Sequence, residues 1–384
     1  MSSPRTTGIA LVGYGGIGKV HAFAYKALAL FYRQLPLHPS LAWVAVRRME
    51  SGISAQKEIG FSNLSTDYTE AVSAADVDIV DCCTPNHLHA PVILAALAAG
   101  KHVYCEKPLA MDVNEARTML RAAEEAGVVH QVAFNYRFVP AVWRAKQLIA
   151  AGRLGEIYGF RFLYLHSGYT DKARPLSWRL QKASGGSGAL GDLGSHVIDM
   201  SRYLLGEYAA VSATLHTYIK TRPLPTAPHL SGAVDVDDIF LCQVQLAGGA
   251  VGTIEASRMA TGSNDDLRFE IHGSLGALRF NLMDPNWLEF YDATKPREPL
   301  GGERGFTRIE TAGRYPEPSC FPSARAPVGW LRFHIASQYD LLCRVAGQEA
   351  HGATFVDALR VQEIMAAIEK SSQTGAWVTV SHAT

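Results

Sequence analysis

Six consecutive residues near the N-terminus, Gly13-Tyr14-Gly15-Gly16-Ile17-Gly18, restrict the possible folds more than any other stretch. They follow the apolar run Ile9-Ala10-Leu11-Val12 and precede a helical pattern from Lys19 to Leu30. A strand, a G-x-G-x-x-G turn and a helix in that order predict a βαβ unit that binds a dinucleotide. The first glycine permits the tight turn, the second lets a pyrophosphate approach the backbone, and the third lets helix pack on strand. The helix N-terminus adds partial positive charge beside the phosphates. All six residues are therefore candidate cofactor contacts.

The same alternation continues. A second strand over Leu41 to Val46 ends in Arg47-Arg48-Met49-Glu50, where the usual fingerprint has an acid for the adenosine ribose. Arg47 and Arg48 suit a 2′-phosphate, so the cofactor is expected to be NAD or NADP with a lean towards NADP. Glu50 offers an alternative ribose contact. A strand over Asp78 to Cys83 runs into Thr84-Pro85-Asn86, a helix is expected from Pro91 to Ala99, and His102 to Cys105 leads into Glu106-Lys107-Pro108. Asp112 and Glu115 form a capping pair for a helix to about Ala126, and Val128 to Phe134 reads as a further strand. Strands alternating with helices predict a doubly wound parallel sheet through residue 135, with ligands beyond the carboxyl ends of its strands. Thr84, Pro85, Asn86, Glu106 and Lys107 all fall at those ends. Alone, Lys107 reads as a solvated loop lysine; the proline after it confines it to extended backbone at the sheet edge.

A chain of 384 residues predicts two domains, here 1–135 and 136–384, with the last helices free to pack back on the first. Lys plus Arg and Asp plus Glu both number 36, so no overall basic excess points to nucleic acid or an anionic membrane. No apolar run approaches the roughly 20 residues of a membrane helix. Met1 to Gly8 is short and polar and does not read as a secretion signal. The six cysteines form no CxxC, which predicts reduced thiols and a cytoplasmic protein. No metal is expected: His87 and His89 face the same way if extended, but nothing nearby completes a ligand set.

Beyond residue 135 the pattern changes. Pro140 to Ala151 reads as a helix and Ile157 to Leu165 as a strand. Asp192 and His196 stand four apart at the start of a predicted helix running to Leu205, hence on one face and one turn apart. The plainer alternatives are a helix cap and a core histidine. From Ala210 to Tyr291 short strands alternate with Gly-rich turns: Ala210 to Lys220, Val236 to Leu246, Ala250 to Arg258, Leu267 to His272, Ala277 to Phe280 and Trp287 to Tyr291. Residues 293 to 328 read as irregular, and His334 to Val345 and Phe355 to Lys370 as amphipathic helices. A sheet covered by helices on one face leaves the other to bury, commonly against another subunit.

These motifs, in this order, resemble the Gfo/Idh/MocA oxidoreductases, and within them the levoglucosan dehydrogenase-like branch. The likeness rests on Gly13 to His21, Thr84 to His89, Glu106-Lys107-Pro108-Leu109, Asn135-Tyr136-Arg137, Trp178-Arg179 and Gly191-Asp192-Leu193-Gly194-Ser195-His196. It implies an α/β protein with an N-terminal Rossmann domain and a C-terminal α/β domain built on a large, mostly antiparallel open sheet. It also implies hydride transfer between NAD(P) and a secondary alcohol of a sugar, anhydrosugar or cyclitol, by a homodimer or homotetramer. By the same resemblance His89, Asn135, Trp178 and Arg179 join the cofactor contacts, and Lys107, Asp192 and His196 form the catalytic set. Oxidation needs a base for the hydroxyl proton while hydride leaves; His196 is the first choice, with the roles of His196 and Lys107 exchangeable. Tyr136, Arg137, Tyr164 and His166 complete the expected substrate contacts, beside Lys107, Asp192 and His196. Two alternatives remain: a non-catalytic NAD(P) sensor, and a redox-neutral isomerase or dehydratase recycling bound cofactor.

Overall fold

The computed structural model describes residues 6–323 and 325–382; the polar N-terminus before Thr6 lies outside them. The chain divides into two compact units, one of Met1–Phe138, Tyr315–Ala324 and Gly329–Leu359, the other of Val139–Arg314, Arg325–Val328 and Arg360–Thr384.

The first unit holds six parallel strands: β1 (Thr6–Val12), β2 (His38–Ala45), β3 (Asn63–Ser65), β4 (Ile79–Cys82), β5 (His102–Cys105) and β6 (His130–Val132). Their order is β3-β2-β1-β4-β5-β6, every pair parallel. The winding reverses between β1 and β4, which places the switch point where the glycine turn meets Cys83 and Thr84. Apolar side chains pack the strands and helices together, with Ile9, Leu11, Leu28, Val44, Ile79 and Leu341 in one buried cluster.

Several boundaries differ from those the sequence suggests. β2 begins at His38 and takes in Pro39, because only Trp43 to Ala45 pair with β3 and the strand is an edge before that point. Asn86–Leu88 is a 3-10 turn and the next helix begins at His89, since Pro91 is tolerated in a first turn whose amides have no partner. His87 and His89 are therefore not extended. Residues 49 to 73, which carry no clear period, form the helix Met49–Ile59, β3 and the helix Tyr68–Ser73. Asp112 caps its helix as expected, accepting from the amides of Asn114 at 2.8 Å and Glu115 at 3.0 Å. Glu115 reaches back one residue further, to Met111.

The second unit is built on nine strands: β7 (Ile157–Leu165), β8 (Tyr208–His216), β11 (Ile239–Leu246), β12 (Val251–Ser257), β13 (Asp266–Gly273), β14 (Gly276–Asn281), β15 (Trp287–Asp292), β16 (Phe306–Glu310) and β17 (Val378–Thr379). They lie in the order β16-β15-β14-β13-β7-β12-β11-β8-β17. β7 pairs β12 in parallel and the other pairs are antiparallel. Along β11, Phe240, Cys242, Val244 and Leu246 are buried while Leu241, Gln243 and Gln245 face outward, the period-two signature of a sheet with one covered face. β8 stops at His216 instead of Lys220. The chain then forms a separate hairpin of β9 (Thr221–Leu224) and β10 (Ala227–Ala233), where Pro223, Pro225 and Pro228 suit an isolated two-stranded pair better than a central strand. β16 lies inside the stretch read as irregular.

No helix among the described residues is long and apolar enough to cross a membrane. All six cysteines are free, five of them buried.

Candidate active site

In the first unit the glycine turn has the geometry that a dinucleotide requires. Gly13 has φ +97°, and a Cβ there would lie 2.7 Å from the Cys83 carbonyl oxygen; one on Gly18 would lie 2.1 Å from the Gly13 carbonyl oxygen. Those two glycines close the packing of turn, strand and helix. Gly15 and Gly16 meet nothing within 4 Å, so the open side of the turn is where the backbone is bare. Gly15 caps the helix Gly16–Phe31 without a side chain, and no acid occupies its first turn. An anion is thus left as the natural partner of the first-turn amides. Tyr14 and Lys19 are tied to the next helix: Tyr14 Oη donates to Glu58 at 3.1 Å and Lys19 Nζ at 2.8 Å. Burial, then the Glu58 carboxylate, push the Tyr14 hydroxyl up to about 12. Arg47 and Arg48 are exposed just after β2, Arg48 standing at the start of the Met49–Ile59 helix with Glu50 in its first turn.

At the ends of β4 and β5 the Glu106-Lys107-Pro108 turn is braced by two buried histidines. His21 is fully buried, its Nδ1 3.0 Å from Asp81 and its Nε2 3.1 Å from Glu106 Oε1. The second contact is an ion pair set off the ideal hydrogen-bond line. Glu106 Oε2 accepts the Lys107 backbone N–H at 3.2 Å. Burial works against charge on His21, yet the Asp81 and Glu106 carboxylates outweigh it and raise the imidazole to about 10. Burial likewise opposes charge on Glu106, but His21 and then Lys107 hold its carboxyl at about 2. On the other side His89 Nδ1 lies 3.0 Å from the Pro108 carbonyl oxygen and Nε2 3.1 Å from that of Thr84. His89, expected among the cofactor contacts, is buried and braces the turn between these two carbonyls. Lys107 itself is half-buried, and its bond to Pro108 is cis.

Cys82, His89 and Cys105 bring three potential metal-ligating atoms within 4.8 Å of one another, as do His21, Asp81 and Cys83. The fold thus completes groupings that no local spacing announces. His89 lies between two carbonyl oxygens, and His21 between the carboxylates of Asp81 and Glu106.

The remaining first-unit candidates lie inside the packing. Thr84 and Pro85 are half-buried and Asn86 is buried. Asn135 Nδ2 lies 3.2 Å from His334 Nε2, and burial, with the nearby His21 charge, lowers His334 to about 3. Arg137 is buried and pairs with Asp357 at 3.3 Å, and Tyr136 packs edge-on against Phe333. The last two thus have structural partners within their own unit.

The second unit gathers the other half of the candidate set. Leu190–Gly194 is a π-helical turn that passes into the helix Ser195–Leu205. Asp192 lies in that turn and His196 in the first turn of the helix, and π turns are frequent at functional sites. Asp237 anchors it from the start of β11, accepting the amides of Gly188 at 2.7 Å and Leu190 at 2.8 Å. Asp192 Oδ2 accepts from Arg258 Nη2 at 3.0 Å. His196 is 7% exposed and its ring meets that of Tyr164 edge-on at 5.8 Å. Tyr164 Oη donates to Asp265 Oδ1 at 2.5 Å, and His166 Nε2 lies 3.2 Å from the same oxygen. Tyr164 and His166 are two apart on β7 and so share a face. They form with His196 and Asp265 one polar row. Trp178 and Arg179 occupy a 3-10 turn, the guanidinium 4.2 Å from the indole. Sequence reading misses Asp265 and Arg258: each follows or precedes a strand with no motif around it, and only strand pairing brings it to the row or to Asp192.

Comparison with known proteins finds relatives of both stretches of the chain. The model of an oxidoreductase family with an NAD-binding Rossmann fold matches residues 7–134, and that of the GFO/IDH/MocA C-terminal domain matches residues 142–279. Levoglucosan dehydrogenase of Pseudarthrobacter phenanthrenivorans is 38% identical over 384 residues, 97% of each chain. Inositol 2-dehydrogenase of Rhizobium meliloti is 32% identical over 74% of this chain and 78% of its own. The solved structure of levoglucosan dehydrogenase in complex with NADH and levoglucosan aligns with a TM-score of 0.93 at 39% identity, over 98% of this chain and 100% of the other.

Proposed function

The chain belongs to the Gfo/Idh/MocA oxidoreductases, and from that premise we propose that it oxidises a secondary alcohol of an anhydrosugar such as levoglucosan. One observation carries the reading: likeness over 97% of the chain to a levoglucosan dehydrogenase, and the residues Lys107, Asp192 and His196 that the family resemblance names are present in the sequence.

The amides of the glycine turn would hold NAD, which when bound would supply the hydride acceptor. His196 takes the hydroxyl proton as the alcohol is oxidised, its ring oriented by Tyr164. Lys107 donates to the reacting oxygen and stabilises the charge that develops there, its backbone set by Glu106 and the His89 contact. Asp192 supplies the carboxylate beside the substrate. The row of Tyr164, His166 and Asp265 offers hydroxyl, imidazole and carboxylate groups to further hydroxyls of a polyol.

Exposed Arg47 and Arg48, with no acid closing β2, support use of NADP alongside NAD. The outward face of the nine-stranded sheet exposes Leu241 and Val251, which favours a homodimer or homotetramer. Free thiols fit a cytoplasmic location.

The test is reduction of NAD and NADP with a panel of anhydrosugars, hexoses and inositols. Turnover with an anhydrosugar is expected. Tight nucleotide binding with no polyol oxidised would replace this reading with a sensor.

A further inference from the structure

Arg258 stands one residue beyond β12 and is 1% exposed. A guanidinium removed from water costs several kcal/mol unless it is paired, so its partners matter. Nη2 donates to Asp192 Oδ2 at 3.0 Å and Nη1 to the Arg179 carbonyl oxygen at 3.2 Å. The guanidinium carbon lies 4.8 Å from the centre of the Tyr169 ring, and the Arg258 backbone N–H donates to the Asp238 carbonyl at 2.9 Å. Tyr169 is itself held, its carbonyl accepting from Arg222 Nη2 at 2.5 Å. Strand end, aromatic face and carbonyl together leave the guanidinium a single place.

Asp192, on the other side of the pair, is partly open, its side chain 28% exposed. The buried cation holds one of its two carboxylate oxygens. The arrangement is not tuned for stability alone, because Arg258 Nε has no hydrogen-bond partner among the described residues, a cost that an apolar side chain would avoid.

We propose that Arg258 is a positioning residue for the dehydrogenase reaction: one guanidinium holds the Asp192 carboxylate and the Trp178–Arg179 turn in the geometry the reaction uses. The inference rests on the role given to Asp192 above. A buried arginine that only stabilises the fold would act independently of Asp192, and this separates the two.

The experiment is a double-mutant cycle on kcat at saturating NAD and polyol, with Arg258→Met, Asp192→Asn and both together, each variant checked by thermal melt. Arg258→Met is expected to lower kcat about 10²-fold, the scale of a misplaced reacting group. Arg258→Lys, which keeps the charge and loses one of the two donors' directions, should recover at least about 10-fold of that. In the Asp192→Asn background Arg258→Met should cost less than about 2-fold, since coupled residues are not additive. Equal losses in both backgrounds, or an unchanged kcat in Arg258→Met, overturn the proposal. Should Arg258→Met not accumulate as folded protein, Arg258→Lys against Asp192→Asn carries the same cycle. Wild-type turnover in Asp192→Asn alone would instead overturn the reading of Asp192, and this inference with it.

Discussion

His21 Nε2 lies 3.1 Å from Glu106 Oε1, closing a buried chain of charge that runs from Asp81 through the imidazole to the amide of Lys107. The chain ties the interior of the first unit to the turn that presents Lys107.

That chain sets a pH dependence of stability. His21 is raised from 6.5 to about 10, so its contribution is complete below pH 6.5 and is lost as pH rises through about 10. Glu106 is lowered from 4.5 to about 2, so its contribution is complete above pH 4.5 and is lost as pH falls through about 2. Denaturant melts from pH 6 to pH 10 should show the wild-type chain losing stability relative to His21→Gln across that range. Parallel curves would mean that the imidazole does not carry the charge assigned to it.

Replacing the proposed base gives a different signature. His196→Ala should lower kcat by roughly 10²–10⁴ while nucleotide affinity, measured by fluorescence titration, stays near that of the parent. A variant that fails to fold, with His196→Gln folded and fully active, would make His196 a packing residue.

The glycine turn separates packing from binding. Gly15→Ala adds a methyl into open space, so its melting temperature should hold while NAD affinity falls at least about 10-fold. Gly18→Ala forces a methyl against the Gly13 carbonyl and should destabilise by about 1–3 kcal/mol whether or not NAD is present. Normal NAD affinity in Gly15→Ala would show that the pyrophosphate does not lie over this part of the turn.

Arg48→Ala tests cofactor choice. The arginine is exposed beyond β2, and its loss should weaken NADP by several-fold more than NAD, read as the ratio of the two kcat/KM values. Equal effects on both would remove the 2′-phosphate contact.

Much of this molecule follows from short-range rules. A turn pressed between strand and helix needs glycine, a half-buried strand alternates, and a helix start wants Asp112 at its cap; Gly13, β11 and the helix after Asp112 are legible for those reasons. The same rules leave out the π turn at Leu190–Gly194, because α-helical spacing is the default and the amides of Gly188 and Leu190 are held by Asp237, which is 47 residues from Leu190 in the chain. They are equally silent on the His89 ring, which folding turns inward onto two carbonyls.

The glycine loop and the strand–helix alternation needed nothing beyond the order of residues. The pairing of Asp192 with Arg258, 66 residues apart, and of Glu106 with His21 waited on the fold. Local propensity selects a backbone state within a few residues, whereas a buried charge takes whichever opposite charge the packed strands bring within reach, and no stretch of sequence encodes that distance.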